Sequence, residues 1–400
     1  MLITPSLLHV KTRSGRHRQE TAVSLRPISR DPSYEVEGLS VEEVLGRLDV
    51  PVLQLGPEMT EWQCIREDHA AMTAAGQWGD VLDALRFADQ DGTMASGGQR
   101  VAPLISLGIR TRCTDALLRD DHAAAMAELV RFQAVLEMNP EDHAAAHLVA
   151  QTQIEIGLAK RAIAGTTRTA WAESAAHFAA AEDILDTFDP IAEMSPLLAE
   201  TRYLLVRGIE DGAALCRDWY EDWCDLAPND AAPHAAHAVH LLPDWFGSLA
   251  AFEKAACRAA RLTRQVTGQA AYAVYHMTAR QELGDMLPTV DLELFLRGLS
   301  DFVLATGCQH RANVAAQLLT CLMRDYRRAG AAAAYPLTKV RAALSDLLWN
   351  HLREIHIDRW DDGADSLAFA MGEVFGPALK NGARIGRKGE GLGTRVPRSL

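Results

Sequence analysis

From about residue 40 onward, apolar side chains recur every three or four positions in segments separated by short polar, glycine or proline breaks. That spacing is the helical period, and it predicts about fifteen helices between residues 40 and 379, most of about 12–20 residues. Helix starts are written in several places. Ser40 opens Ser-Val-Glu-Glu and Thr60 opens Thr-Glu-Trp-Gln, both with the spacing of a capping box. Ser195-Pro196 sets a cap ahead of a proline at the first helical position, and Ser248 after Gly247 reads as a plain N-cap. Along residues 308–329, Val314, Leu318, Cys321 and Leu322 fall on one face, with Asn313, Gln317, Thr320, Arg324 and Arg328 on another. That predicts an amphipathic helix with a solvated polar side. Val50 to Leu55 is the single extended-looking piece, too short and solitary to seed a sheet. Helices joined by short turns imply antiparallel neighbours. The fold class expected is therefore all-α, an α-solenoid of antiparallel helical hairpins.

The helices also recur in a pattern. Phe132, Val135, Leu136 and Pro140 place an aromatic, a branched residue, a leucine and a turn proline at fixed offsets. This resembles the end of a tetratricopeptide repeat, in which the second helix packs an aromatic on its neighbour before a proline stops it. In the same register Ala150 and Gly157 occupy positions where the repeat takes small residues. Tyr220 to Pro228, the set Phe178, Ala181 and Pro190, and Met59 to Gln90 around Gly76 give three looser versions. The first-helix Trp-Leu-Gly of the repeat is missing from all four. The resemblance covers residues 58–245 in degenerate form and implies hairpins lining a groove that takes a protein or peptide partner. In the second half, HLLPDWFGSLAAFEKAA (240–256) is similar to uncharacterised bacterial helical families with an LPxWxGS loop, which informs the fold alone. In that loop Trp245 and Phe246 are expected to pack back onto helices.

Charge divides the chain. Forty basic and 53 acidic residues give −13 overall. Residues 1–30 hold six basic residues against Glu20 alone and residues 380–400 six against Glu390, a net +5 each, which leaves −23 for the body. An acidic body repels phosphate backbones, so no nucleic-acid partner is expected of it. The basic ends are candidates for contact with anionic surfaces. Residues 1–35 read as a basic flexible segment, 36–245 as tetratricopeptide-like hairpins, 246–380 as a continuation of the array, and 381–400, with five glycines, as a disordered basic tail. Seven scattered cysteines without a C-x-x-C pair read as reduced thiols, which points to the cytoplasm. The N-terminal charges follow rather than precede the apolar stretch, unlike a signal peptide, and no apolar run nears the roughly 20 residues of a membrane span.

Signatures of chemistry are sparse. No phosphate-loop, nucleophile-elbow or H-E-x-x-H motif occurs, so no catalytic residue and no cofactor is expected. His143, His147, Gln151 and Glu155 step by four along one helix as a polar stripe. In the repeat register these residues would line the concave groove and touch a partner. The alternative centres on His234, His237 and His240, spaced i, i+3 and i+6, as metal ligands beside Asp230 and Asp244. The acidic set around Trp360 (His356, Asp358, Asp361, Asp362, Asp365) lacks the order of a calcium loop and is assigned to helix capping. The function expected is a non-catalytic protein-interaction module, with a metal-dependent enzyme or metal-binding protein as the second possibility.

Overall fold

The computed structural model describes residues 39–163 and 168–395. The expected N-terminal segment 1–35 and the last five residues lie outside them. Eighteen α-helices account for most of the described residues. They are α1 (Val41–Leu45), α2 (Pro57–Ala74), α3 (Trp78–Gln90), α4 (Val101–Ile109), α5 (Thr111–Leu118), α6 (His122–Met138), α7 (His143–Ile163), α8 (Arg168–Leu185) and α9 (Pro196–Leu204). Then come α10 (Gly212–Leu226), α11 (Ala232–His240), α12 (Leu249–Leu262), α13 (Arg264–Thr267), α14 (Ala270–Leu283), α15 (Leu292–Leu304), α16 (Gln309–Arg328), α17 (Ala334–Asn350) and α18 (Ala364–Lys380). Five short strands complete the set: β1 (Leu48–Asp49), β2 (Val52–Leu53), β3 (Ile355–His356), β4 (Arg384–Lys388) and β5 (Gly391–Arg395). The described chain divides into two units, residues 61–252 and residues 39–60 with 253–395.

Three of the four expected helix starts occur as written. Ser40 and Glu43 exchange side-chain and backbone bonds, Ser195 accepts from Leu198 N at 3.0 Å, and Ser248 accepts from Ala251 N at 3.2 Å. Thr60 is the exception. Pro57 at the first helical position starts α2 earlier, and Thr60 Oγ1 donates to the Gly56 carbonyl from inside the helix.

In residues 61–252, sequence neighbours pack on one another: α5 on α6, α6 on α7, α7 on α8, α9 on α10. Helix α7 also touches α3 and α9, and every residue from His143 to Gly157 is buried. Its apolar members Val149 and Ile156 join Val81, Leu85 and Phe132 in one core cluster. Gly157 lies under the Phe178 ring, where an added Cβ would approach to 3.1 Å, so the small residue at this register position lets α7 and α8 close up. The turn after α11 behaves as expected, with Trp245 and Phe246 both packed on the His240 ring.

In the other unit α14 packs on α15 and α16 on α17. The polar side of α16 is solvated at its Arg328 end and buried toward its start. Asn313, Gln317 and Thr320 are buried, and Asn313 takes part in holding residues 354–360: its Oδ1 accepts from His356 N at 2.9 Å and Trp360 Nε1 at 3.1 Å. Gln309 accepts from Arg353 N at 2.6 Å in the same way.

Two extended segments correct the sequence picture. Residues around 50 do pair, because their partners come from the far end of the chain: β1 runs parallel to β4 with Leu48 opposite Ile385, and β2 runs parallel to β3 with Val52 opposite Ile355. Residues 384–395 are not a disordered tail but an antiparallel hairpin of β4 and β5. Ile385 and Leu392 are fully buried in it. Its glycines mark close approach rather than looseness: a Cβ on Gly391 would meet the Trp349 carbonyl oxygen at 2.0 Å.

Candidate functional site

The polar stripe of α7 faces inward. His143, His147, Gln151 and Glu155 are each only 2–6% exposed, so they do not line an open concave face. A helix buried on all sides must satisfy its polar groups internally, and α7 does so against α4 and α9. His147 Nε2 lies 2.6 Å from Ser106 Oγ, and its Nδ1 lies 2.7 Å from Thr201 Oγ1. Arg110 binds Glu155 at 2.5 Å and donates from Nε to Ser106 Oγ at 3.2 Å. Gln151 donates to the same Glu155 oxygen at 3.1 Å, and His143 Nδ1 stands 3.2 Å from Glu193.

The directions of these bonds are fixed. Thr201 Oγ1 donates its proton to the Leu197 carbonyl at 2.8 Å, so it accepts from His147 Nδ1–H. That leaves His147 Nε2 as the lone pair receiving the Ser106 hydroxyl proton. Burial, with Arg110 and His143 adding to it, holds the imidazole well below its ordinary range and therefore neutral.

This network forms one wall of a cavity between α4, α7 and α9, about 40 Å³ in volume. Ser106, Arg110, His147, Gln151, Gln99 and Glu200 turn polar atoms toward it, and Leu104, Leu107 and Leu197 supply apolar walls. Half-buried Glu200 has its carboxyl pushed up to about 7 by loss of hydration and by Asp230, against the opposing pull of Arg100 and Arg110. At about 40 Å³ the cavity is far smaller than the sites that take drug-sized ligands, so it admits only a very small group. Ser106, Arg110 and Thr201 were not singled out in the sequence. The available signal was Ser106, the one hydroxyl within the apolar run Val101–Ile109, four residues before an arginine.

The three histidines of α11 do not converge on one point. His234 Nδ1 bonds Tyr220 OH at 2.8 Å; His237 Nδ1 bonds Tyr203 OH at 3.0 Å and its ring stacks on Tyr220 at 4.1 Å. His240 is held at both nitrogens, by Arg207 Nε at 2.7 Å and by Tyr203 OH at 2.7 Å. Their spacing puts them on one helix face, and Tyr203, Tyr220 and Arg207 bond four of their six ring nitrogens. Among the described residues no group of three His, Cys, Asp or Glu is placed to hold a metal ion. Two of the acidic set near Trp360 pair with arginines, Asp362 with Arg324 at 2.6 Å and Asp358 with Arg359 at 2.7 Å, while Asp365 stands in the first turn of α18 as expected.

A second concavity lies on the opposite side of α7. Val149 falls about 200° around the helix from His147, and it lines a groove of about 510 Å³ between the C-terminal ends of α6 and α8. Leu136, Ile184 and Phe188 complete its apolar floor. Glu137 and Asp183 stand on its rim, with no lysine or arginine in the lining. Neither α6 nor α8 carries a basic residue in its own last turn, and Arg202 of α9 answers the end of α8 by donating to the Leu185 and Phe188 carbonyls at 3.2 and 3.4 Å. Glu182, beside the groove on α8, has its carboxyl raised by burial and by Asp186 and Asp183.

Compared with known protein families, curated proteins and solved structures, the chain matches none of them.

Proposed function

We propose that the chain is a protein-interaction module of stacked helical hairpins, tetratricopeptide-like in kind, whose unit 61–252 takes a basic, apolar-anchored peptide or helix. One observation carries this reading: the groove at the ends of α6 and α8 combines an apolar floor with an acidic rim. Leucine-sized side chains laid against the partly exposed Leu136 and Ile184 supply affinity by burial. Lysines or arginines beside them answer Glu137 and Asp183, which selects the partner by sign. The partner face is thus the groove between the ends of α6 and α8, and the stripe His143 to Glu155 shapes the module from within.

The test is fluorescence anisotropy with a labelled amphipathic leucine–lysine peptide and its leucine–glutamate counterpart. The basic peptide is expected to bind in the micromolar range, to weaken as salt rises from 50 to 500 mM, and to lose about tenfold in affinity in Glu137→Lys/Asp183→Lys. Equal binding of both peptides, no binding of either, or an unaltered double variant overturns the reading.

A further inference from the structure

The cavity on the inner side of α7 holds an arrangement that partner binding does not use. Ser106 Oγ gives its proton to His147 Nε2 at 2.6 Å, and the opposite nitrogen is anchored on Thr201 at 2.7 Å. Arg110 Nε reaches the same serine oxygen at 3.2 Å, where it favours negative charge on that oxygen, and Glu155 and Gln151 hold the guanidinium in place. A hydroxyl bonded to a base that is itself oriented by a third group is the geometry of an activated nucleophile. Ser106 and His147 both line the cavity, so a reactant in it meets the serine and the base together.

We propose that Ser106 is a nucleophilic serine, activated by His147 and positioned by Thr201 and Arg110, that accepts a short acyl group from an ester. The cavity sets the size. At roughly 10–15 Å³ per water-sized site, about 40 Å³ admits about three non-hydrogen atoms, the count of an acetyl group. In the step, Ser106 Oγ bonds to the acyl carbon while its proton passes to His147 Nε2. The ester C–O bond then breaks, and the leaving alkoxide takes that proton as the alcohol. Water reverses the sequence: it loses a proton to His147, attacks the acyl carbon and releases the acid as Ser106 Oγ regains a proton. A hydroxyl rather than a carboxylate stands behind the imidazole, so the imidazolium formed in the step is weakly stabilised and turnover is slow. Covalent capture is therefore the sensitive readout.

The experiment exposes the folded full chain at pH 8 to p-nitrophenyl acetate, whose acetyl group matches the cavity, and maps the acetyl adduct by mass spectrometry. One adduct on Ser106 and a burst of one equivalent of p-nitrophenolate are expected. Thr201→Val should slow labelling at least tenfold, and Thr201→Ser should restore it, a pattern that a packing role for the methyl group does not produce. Heat-unfolded wild-type protein supplies the background rate without reliance on a variant. Labelling of the native chain no faster than that background, an adduct elsewhere, or equal rates in Thr201→Val and Thr201→Ser overturns the proposal. The peptide-binding result bears only on the opposite face of α7.

Discussion

Arg207 Nε lies 2.7 Å from His240 Nε2, and this contact sets the direction of a chain of protons through residues 203–240. A guanidinium only donates, so His240 Nε2 is a lone pair and its Nδ1–H donates to Tyr203 oxygen at 2.7 Å. Tyr203 then donates to His237 Nδ1 at 3.0 Å. One phenol thus satisfies two buried imidazoles. Tyr203→Phe keeps the ring contacts with Trp223 and removes both bonds. It is expected to destabilise unit 61–252 by about 1–3 kcal/mol in urea unfolding. A midpoint within error of wild type would count against this account.

Asp89 caps α9 from a distance. Its carboxylate accepts from Arg100 Nη2 at 2.6 Å, from Leu197 N at 3.0 Å and from the Ser195 hydroxyl, all buried. Asp89→Ala leaves the Arg100 guanidinium buried without its counter-charge, a loss of about 3–5 kcal/mol. Removing both charges in Asp89→Leu/Arg100→Met should cost less than the single change. A denaturation series in which the double variant is the weaker protein would contradict the pairing.

The β4–β5 hairpin should matter to stability. Deleting residues 382–400 exposes the β1 edge and removes the fully buried side chains of Ile385 and Leu392 from the core. Differential scanning calorimetry is expected to show a melting temperature lower by several degrees, as loss of about 2–4 kcal/mol would give. Ile385→Asp alone should approach the same shift, because an aspartate there is buried without a partner. An unchanged melting curve would return this segment to the status of a free tail.

Acid should weaken both units. Burial pushes His234 and His276 down to about 4, against about 6.5 in an unfolded chain. Below pH 6.5 the unfolded state binds protons that the folded imidazoles refuse, so stability is full above about pH 7 and falls as pH drops from 6.5 toward 4. Each group contributes about 3 kcal/mol at most over that window. Urea midpoints measured at half-unit intervals should follow this slope, and His234→Gln should flatten its share. A profile level from pH 7 to 4.5 would rule the mechanism out.

Local features of the fold were legible in the sequence. Apolar periodicity located the helices, and Ser40, Ser195 and Ser248 announced three of their starts through chemistry contained within four residues. Features set by distant partners were not. The pairing of Leu48 with Ile385 leaves no mark near either residue, since a two-residue strand has no period to read. Polar stripes misled for a related reason: His147 on α7 and Asn313 on α16 look solvated by spacing, yet Thr201 and the 354–360 loop bury them. Thr60 failed because Gly56-Pro57 gave the chain an earlier start.

The pairing of β1 with β4 also imposes an order on biosynthesis. A ribosome releases the partner of Leu48 only when residue 385 has cleared its exit tunnel. By then residues 61–252 have long been free to fold as a contiguous stretch. The segment around residues 39–60 must therefore wait, unpaired, through most of translation, exposed to chaperones and proteases. A nascent chain stalled before residue 380 would hold one finished unit and one unfinished one.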